Sequence, residues 1–227
     1  WGMGVISKAF PNAKCYMLPE DCAVYGDQYQ PKLDEWTDII GATHLCREQC
    51  DRLEPLPADN TIMLEGKRII VIPEVMGDLK WNSVVWVPSI KTLIAGDVLF
   101  NEAHPFTCEV SAQQRDRWYK DIVRLEEKLK PEVVIPGHQK EGCLLDSSAL
   151  KYMKDYLKAT EEVLAKTNTA SEFFYEMFER FPNSTLLKYS NEMNAEVFKG
   201  GRPWDWSDMS ALSDDCPWYD RDDLLDD

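Results

Sequence analysis

Histidine is scarce in this chain: His44, His104 and His138 are the only three among 227 residues. Any metal or proton chemistry that needs an imidazole therefore rests on three positions. Basic residues are also short, with 25 Lys and Arg against 40 Asp and Glu, a net charge of −15. A surface with that balance repels phosphate backbones, so no nucleic acid is expected as a partner. No run approaches the roughly 18 apolar residues of a membrane span, and no charged-then-apolar leader opens the chain. Regular cysteine spacing is missing as well. The seven cysteines (15, 22, 46, 50, 108, 143 and 216) are odd in number, and Cys46 and Cys50 lack the two-residue gap of a zinc knuckle or redox pair. Free thiols in a reducing, cytoplasmic setting are the expectation.

What is present divides unevenly. From Pro203 to Asp227 there are nine Asp against the single Arg221. This predicts a domain over 1–200 and an acidic C-terminal tail over 201–227, solvated in part. Trp204, Trp206, Trp218 and Tyr219 lie among those aspartates, so docking of the tail on the body or on a partner is an equal expectation. The length suffices for a substantial core.

Along the body, a short N-terminal helix leads into FPNAKCYML, with a strand at about 14 to 18. Alternation at 61–65, the turn Gly66-Lys67 and the run RIIVIP at 68–73 predict a hairpin. NSVVWVP (82–88) and TLIAGDVLF (92–100) are two further β-branched runs joined tightly. The period then changes. Trp118, Ile122, Leu125 and Leu129 recur every three to four residues between Ser111 and Lys130, which argues a helix that Pro131 ends. PEVVIPGH supplies another strand, and a second amphipathic helix runs over 147–166, with shorter helical stretches at 171–181 and 185–198. Strands first, then helix–strand–helix units, suit an α/β (α+β) domain with sheets covered by outer helices.

Two positions carry the chemistry. Asp97 follows a glycine in TLIAGDVLF, and His138 follows a glycine in VVIPGHQ. Glycine lets the backbone turn sharply so that the next side chain projects into a cleft. A carboxylate and an imidazole at neighbouring strand ends are suitable ligands for a borderline ion such as zinc.

The run NSVVWVPSIKTLIAGDVLFNEAHPF, a helix, and then PEVVIPGHQKEG resembles the metallo-β-lactamase-fold hydrolases, in the branch that includes lactonases and lactamases. The resemblance implies an αββα sandwich and one or two zinc ions held by a His-x-His-x-Asp-His motif, a middle histidine, a bridging aspartate and a last histidine. Asp97 matches the bridging aspartate and His138 the last histidine. The four-residue histidine motif is absent from the chain, whose opening resembles what normally follows it, so an upstream segment is expected. The middle histidine is absent too. EVMGDLKW (74–81) stands in its place, with Asp78 as a possible oxygen ligand and Met76 as a space filler. His104, in NEAHPF, is a candidate for lining the substrate pocket, with simple packing an equal expectation, and His44 is expected to be structural or exposed. Hydrolysis of a small cyclic ester or amide by a zinc-activated water is the implied activity. The alternative is a non-catalytic or metal-independent relative whose cleft binds a ligand or partner.

Overall fold

The computed structural model describes residues 3–41, 52–203 and 217–226. By compactness the chain forms two units, Trp1–Ile62 and Met63–Asp227.

The first unit holds α1 (Met3–Ala9), β1 (Cys15–Met17), α2 (Pro19–Ile40) and β2 (Leu53–Pro55). β1 and β2 pair in parallel, Cys15 opposite Leu53 and Met17 opposite Pro55. The guanidinium of Arg52 donates to the carbonyls of Ser7, Pro11 and Ala13, tying the end of α1 to β2. Sequence periodicity does not announce α2, because Pro31 sits inside it. Its start is nonetheless written locally: Pro19 occupies the first turn, where its missing N–H costs nothing, and Glu20 and Asp21 face the positive end of the helix.

The division between the units falls inside β3 (Thr61–Leu64). β4 (Lys67–Val75), β5 (Asn82–Val87), β6 (Thr92–Asn101) and β7 (Val133–Gln139) complete a five-stranded sheet in the order β3-β4-β5-β6-β7. The pairs β4–β5 and β5–β6 are antiparallel, while β6 and β7 are parallel. A parallel pair requires a crossover, and α3 (Ala112–Leu129) provides it. Ser111 caps α3 reciprocally with Gln114, and the helix stops at Lys130, left-handed and followed by Pro131. α4 (Ser148–Lys166), α5 (Ala170–Arg180) and α6 (Lys188–Lys199) follow.

Period-2 patterning sorts the sheet into two faces. Ile70, Trp86, Leu93 and Val134 stand in one cross-strand row and are buried. They share a core with Trp118, Ile122, Leu125 and Leu129 of α3 and with Leu150, Met153 and Leu157 of α4. Val71, Val85, Ile94 and Ile135 form the neighbouring row on the opposite face, which is only partly covered. The sheet is thus mixed and flanked by helices, as the element order implied.

The acidic end is docked where it is described. Trp218 and Leu224 belong to the same core. The Trp86 indole N–H donates to the Leu224 carbonyl at 2.5 Å, and Arg68 pairs with Asp223 at 2.5 Å. Trp204 and Trp206 lie outside the described residues. Among the described residues, no helix is long and apolar enough to cross a membrane.

Candidate active site

Gly96, with φ of +51°, breaks the regular ladder between β6 and β7, and the register shifts on both sides of it. Asp97 therefore sits at an irregularity within β6. The strand does not end there, as the sequence suggests, but continues to Asn101. A bulge of this kind re-aims a side chain without ending the strand. On β7, Gly137 lies directly beneath the Asp97 carboxylate. A Cβ at Gly137 would stand 2.2 Å from Asp97 Oδ1 and 2.6 Å from the Gly96 carbonyl carbon, so only glycine fits. His138 follows, its ring stacked on Phe100 at 5.3 Å.

These two backbone features bring the predicted pair together. His138 Nε2 and Asp97 Oδ1 are 3.4 Å apart, with side chains 44% and 42% exposed, so the pair faces solvent. Two donors on one tetrahedral zinc, at bonds of roughly 2.0–2.2 Å, are separated by about 3.3–3.6 Å. The pair thus has the spacing of one edge of such a site.

The third wall is the turn after β4. Gly77 presses against Asn82 and the Asp97 carbonyl, where a Cβ would meet Asn82 Nδ2 at 2.6 Å and Asp97 O at 3.1 Å. The Asp78 N–H donates to that same carbonyl at 3.4 Å. Burial, then the nearby charges of Asp97 and Glu109, push the Asp78 carboxyl up to about 7, against hydrogen bonds from Asn82 and the Leu79 backbone. Met76 is fully buried, in keeping with a space-filling role. Its N–H donates to Asp121 Oδ2 of α3 at 2.9 Å, and Asp121 Oδ1 accepts from Arg117 Nε at 2.7 Å.

Fit to zinc is incomplete. A catalytic zinc takes about three protein ligands and a water. Among the described residues, no group of three or more His, Cys, Asp or Glu side chains is placed to hold a metal ion. Asp78 adjoins Asp97 but does not complete a triad with it and His138. Among the described residues, Asp97 and His138 supply one edge of such a site and no more.

His104 occupies a different environment from an open pocket wall. It is fully buried, its Nδ1 pairs with the Tyr156 hydroxyl at 2.9 Å, and its ring stacks on Phe178. Burial pushes its pKa down to about 4, with Lys188 adding to the effect and a Ser184 backbone contact opposing it. The aromatic neighbours supplied by α4 and α5 pull it inward, which a lone histidine in NEAHPF does not reveal. His44 lies outside the described residues. A groove of about 530 Å³ between α3 and α4, lined by residues such as Arg115, Tyr119 and Lys158, includes neither Asp97 nor His138.

Glu109, Asn82 and Asp121 are the neighbours that sequence reasoning missed. Asp121 had a signal: three residues after Trp118 and four before Leu125, it lies on the apolar stripe of α3, where an unpaired carboxylate is costly.

No family model matches the chain, and no curated protein matches it by sequence. Among solved structures it is similar to a metallo-beta-lactamase family protein from Thermus thermophilus, at 16% identity and a TM-score of 0.55, covering 87% of this chain and 69% of that one. A beta-lactamase domain protein from Burkholderia ambifaria aligns at 14% identity and a TM-score of 0.49, over 82% of this chain and 59% of that one. A metallo-beta-lactamase from Pontibacter korlensis aligns at 23% identity and a TM-score of 0.36, over 52% and 53%. The chain spans 53% to 63% of the length of the first three solved structures it matches. With its helix-flanked mixed sheet and the Thermus likeness together, the fold is that of the metallo-β-lactamases.

Proposed function

We propose that this chain carries the reacting corner of a hydrolase that opens a small cyclic ester or amide, a lactone or a lactam. The observation that supports the reading is the approach of Asp97 and His138 to 3.4 Å in a solvent-facing position, over a glycine that admits no side chain. A carboxylate and an imidazole facing a shared space can hold a water and take its proton as it attacks a carbonyl, an effect worth about 10²- to 10⁴-fold in rate. His138 is the proton acceptor and Asp97 orients the water. Zinc dependence is the other form of this proposal: a zinc ion held by Asp97 and His138 would replace their proton-transfer roles and would itself supply the activated water.

The test is turnover. The protein is assayed against a panel of lactones and β-lactams, with added zinc and with chelator. Ring opening above background is expected, reduced at least about 100-fold by Asp97→Asn and by His138→Ala. Variants as active as the parent remove these residues from the chemistry; no turnover on any substrate, with or without zinc, removes the hydrolase.

A second reading, a metal-independent relative that binds a ligand or partner in the same cleft, is favoured by one observation. The stretch expected to supply the middle histidine, 74–81, carries Asp78 and no histidine. Metal analysis separates the two: about one or two zinc ions per chain favours the hydrolase, and a folded, metal-free protein that turns over nothing favours binding.

A further inference from the structure

We propose that Asp121 is a positioning residue for the Asp97–His138 corner: from inside α3 it holds the Met76 amide and so sets the Gly77–Asp78 turn against Asp97. The inference takes the corner to be functional, as proposed above, but its test does not depend on activity.

The geometry is a short relay. Asp121 is fully buried, and its two oxygens are divided between tasks. Oδ1 accepts from Arg117 Nε at 2.7 Å, which anchors the carboxylate to its own helix. Oδ2 accepts from the Met76 N–H at 2.9 Å. Met76 is itself fully buried and cannot slide. The next two residues both meet Asp97: Gly77 leaves no room for a Cβ beside the Asp97 carbonyl, and the Asp78 N–H reaches that carbonyl at 3.4 Å. Two left-handed non-glycine residues bracket this turn, Glu74 within the end of β4 and Trp81 just before β5. Such a turn does not hold its place through backbone preference alone. A carboxylate fixed by an arginine on a capped helix is a rigid post to which the turn is tied. Asp97 is thereby flanked by Gly137 on one side and by the turn on the other.

A purely structural role for Asp121 predicts lost stability without a change at the corner. The proposal predicts displacement of the corner in a molecule that remains folded. The readout is the set of backbone amide shifts of Gly77, Asp78, Asp97 and Gly137, with the His138 ring shifts, measured at fixed pH by NMR. Leu129→Ala, a core truncation two turns further along the same helix, controls for destabilisation. Asp121→Ala is expected to move all five groups, and Leu129→Ala to leave them in place. Should Asp121→Ala not fold, Asp121→Glu replaces it; the extra methylene displaces the acceptor, and the same five signals must move. Unchanged shifts in the folded Ala or Glu variant overturn the proposal, as do equal shifts in Leu129→Ala. The hydrolase reading stands or falls separately, on turnover.

Discussion

Acid should weaken this fold through His104, and the size of the effect follows from its surroundings. The imidazole is fully buried against Tyr156 and Phe178, with its folded pKa pushed down to about 4. An unfolded histidine titrates near 6.5. Between those values the unfolded chain binds the proton and the folded one does not, so acid favours unfolding. The stabilising contribution is complete above about pH 6.5 and is lost as pH falls toward 4. At 1.36 kcal/mol per unit the total is about 3 kcal/mol, of which about 2.5 kcal/mol is gone by pH 4.5. Asp78 pulls the other way, because its carboxyl is pushed up to about 7 and its ionised form is the costly one. The parent protein alone would therefore show little net slope. Subtraction isolates His104. In His104→Phe with Tyr156→Phe, both partners of the His104–Tyr156 hydrogen bond are removed together. Urea unfolding followed by tryptophan fluorescence at pH 7.5 and 4.5 gives the stabilities. The double variant should lose about 2.5 kcal/mol less than the parent over that interval. An equal loss in both proteins, or a His104 ring that titrates near 6.5, refutes the reasoning.

Gly137→Ala should cost about 1–3 kcal/mol, the usual range for overpacking, because its Cβ must displace both Asp97 and the Gly96 backbone. Chemical denaturation checks this, and a cost below about 0.3 kcal/mol contradicts the close approach. Asp78→Asn should make the protein more stable at pH 8 than the parent, by about 2 kcal/mol more than at pH 5, since the raised folded pKa makes ionisation costly above about 7. The same pair of urea titrations reads it, and a variant equally shifted at both pH values excludes a charge effect.

The pairing of Asp97 with His138 was legible before any coordinates, because each follows a glycine in an apolar, β-branched run and runs of that kind pair as strands. How the pair is held was not. That Gly137 must be glycine is a matter of 2.2 Å to an atom forty residues away, and nothing local encodes it. Between a pocket wall and simple packing, the sequence left His104 open for a related reason. In sequence it is a polar residue just past the Asp97 strand, whereas two aromatic side chains, Tyr156 of α4 and Phe178 of α5, pack on its ring. Pro31 hid α2, since a proline mid-helix outweighs propensity when only neighbours are weighed. The acidic tail offered two expectations, and the choice fell to Trp218 and Leu224, whose burial against the sheet outweighs the solvation of the aspartates around them.

The order of elements from β3 onward, the helix-flanked mixed sheet and the choice of Asp97 and His138 as candidates follow from the sequence by itself, because hydrophobic period, capping residues and glycine placement act over a few residues. Tertiary structure alone decided which carboxylate stands beside Asp97, that a buried Asp121 braces the turn carrying it, and that His104 is sealed from water. Those outcomes depend on ångström-scale approaches between segments distant in the chain, where close packing and desolvation, rather than local propensity, set the energy.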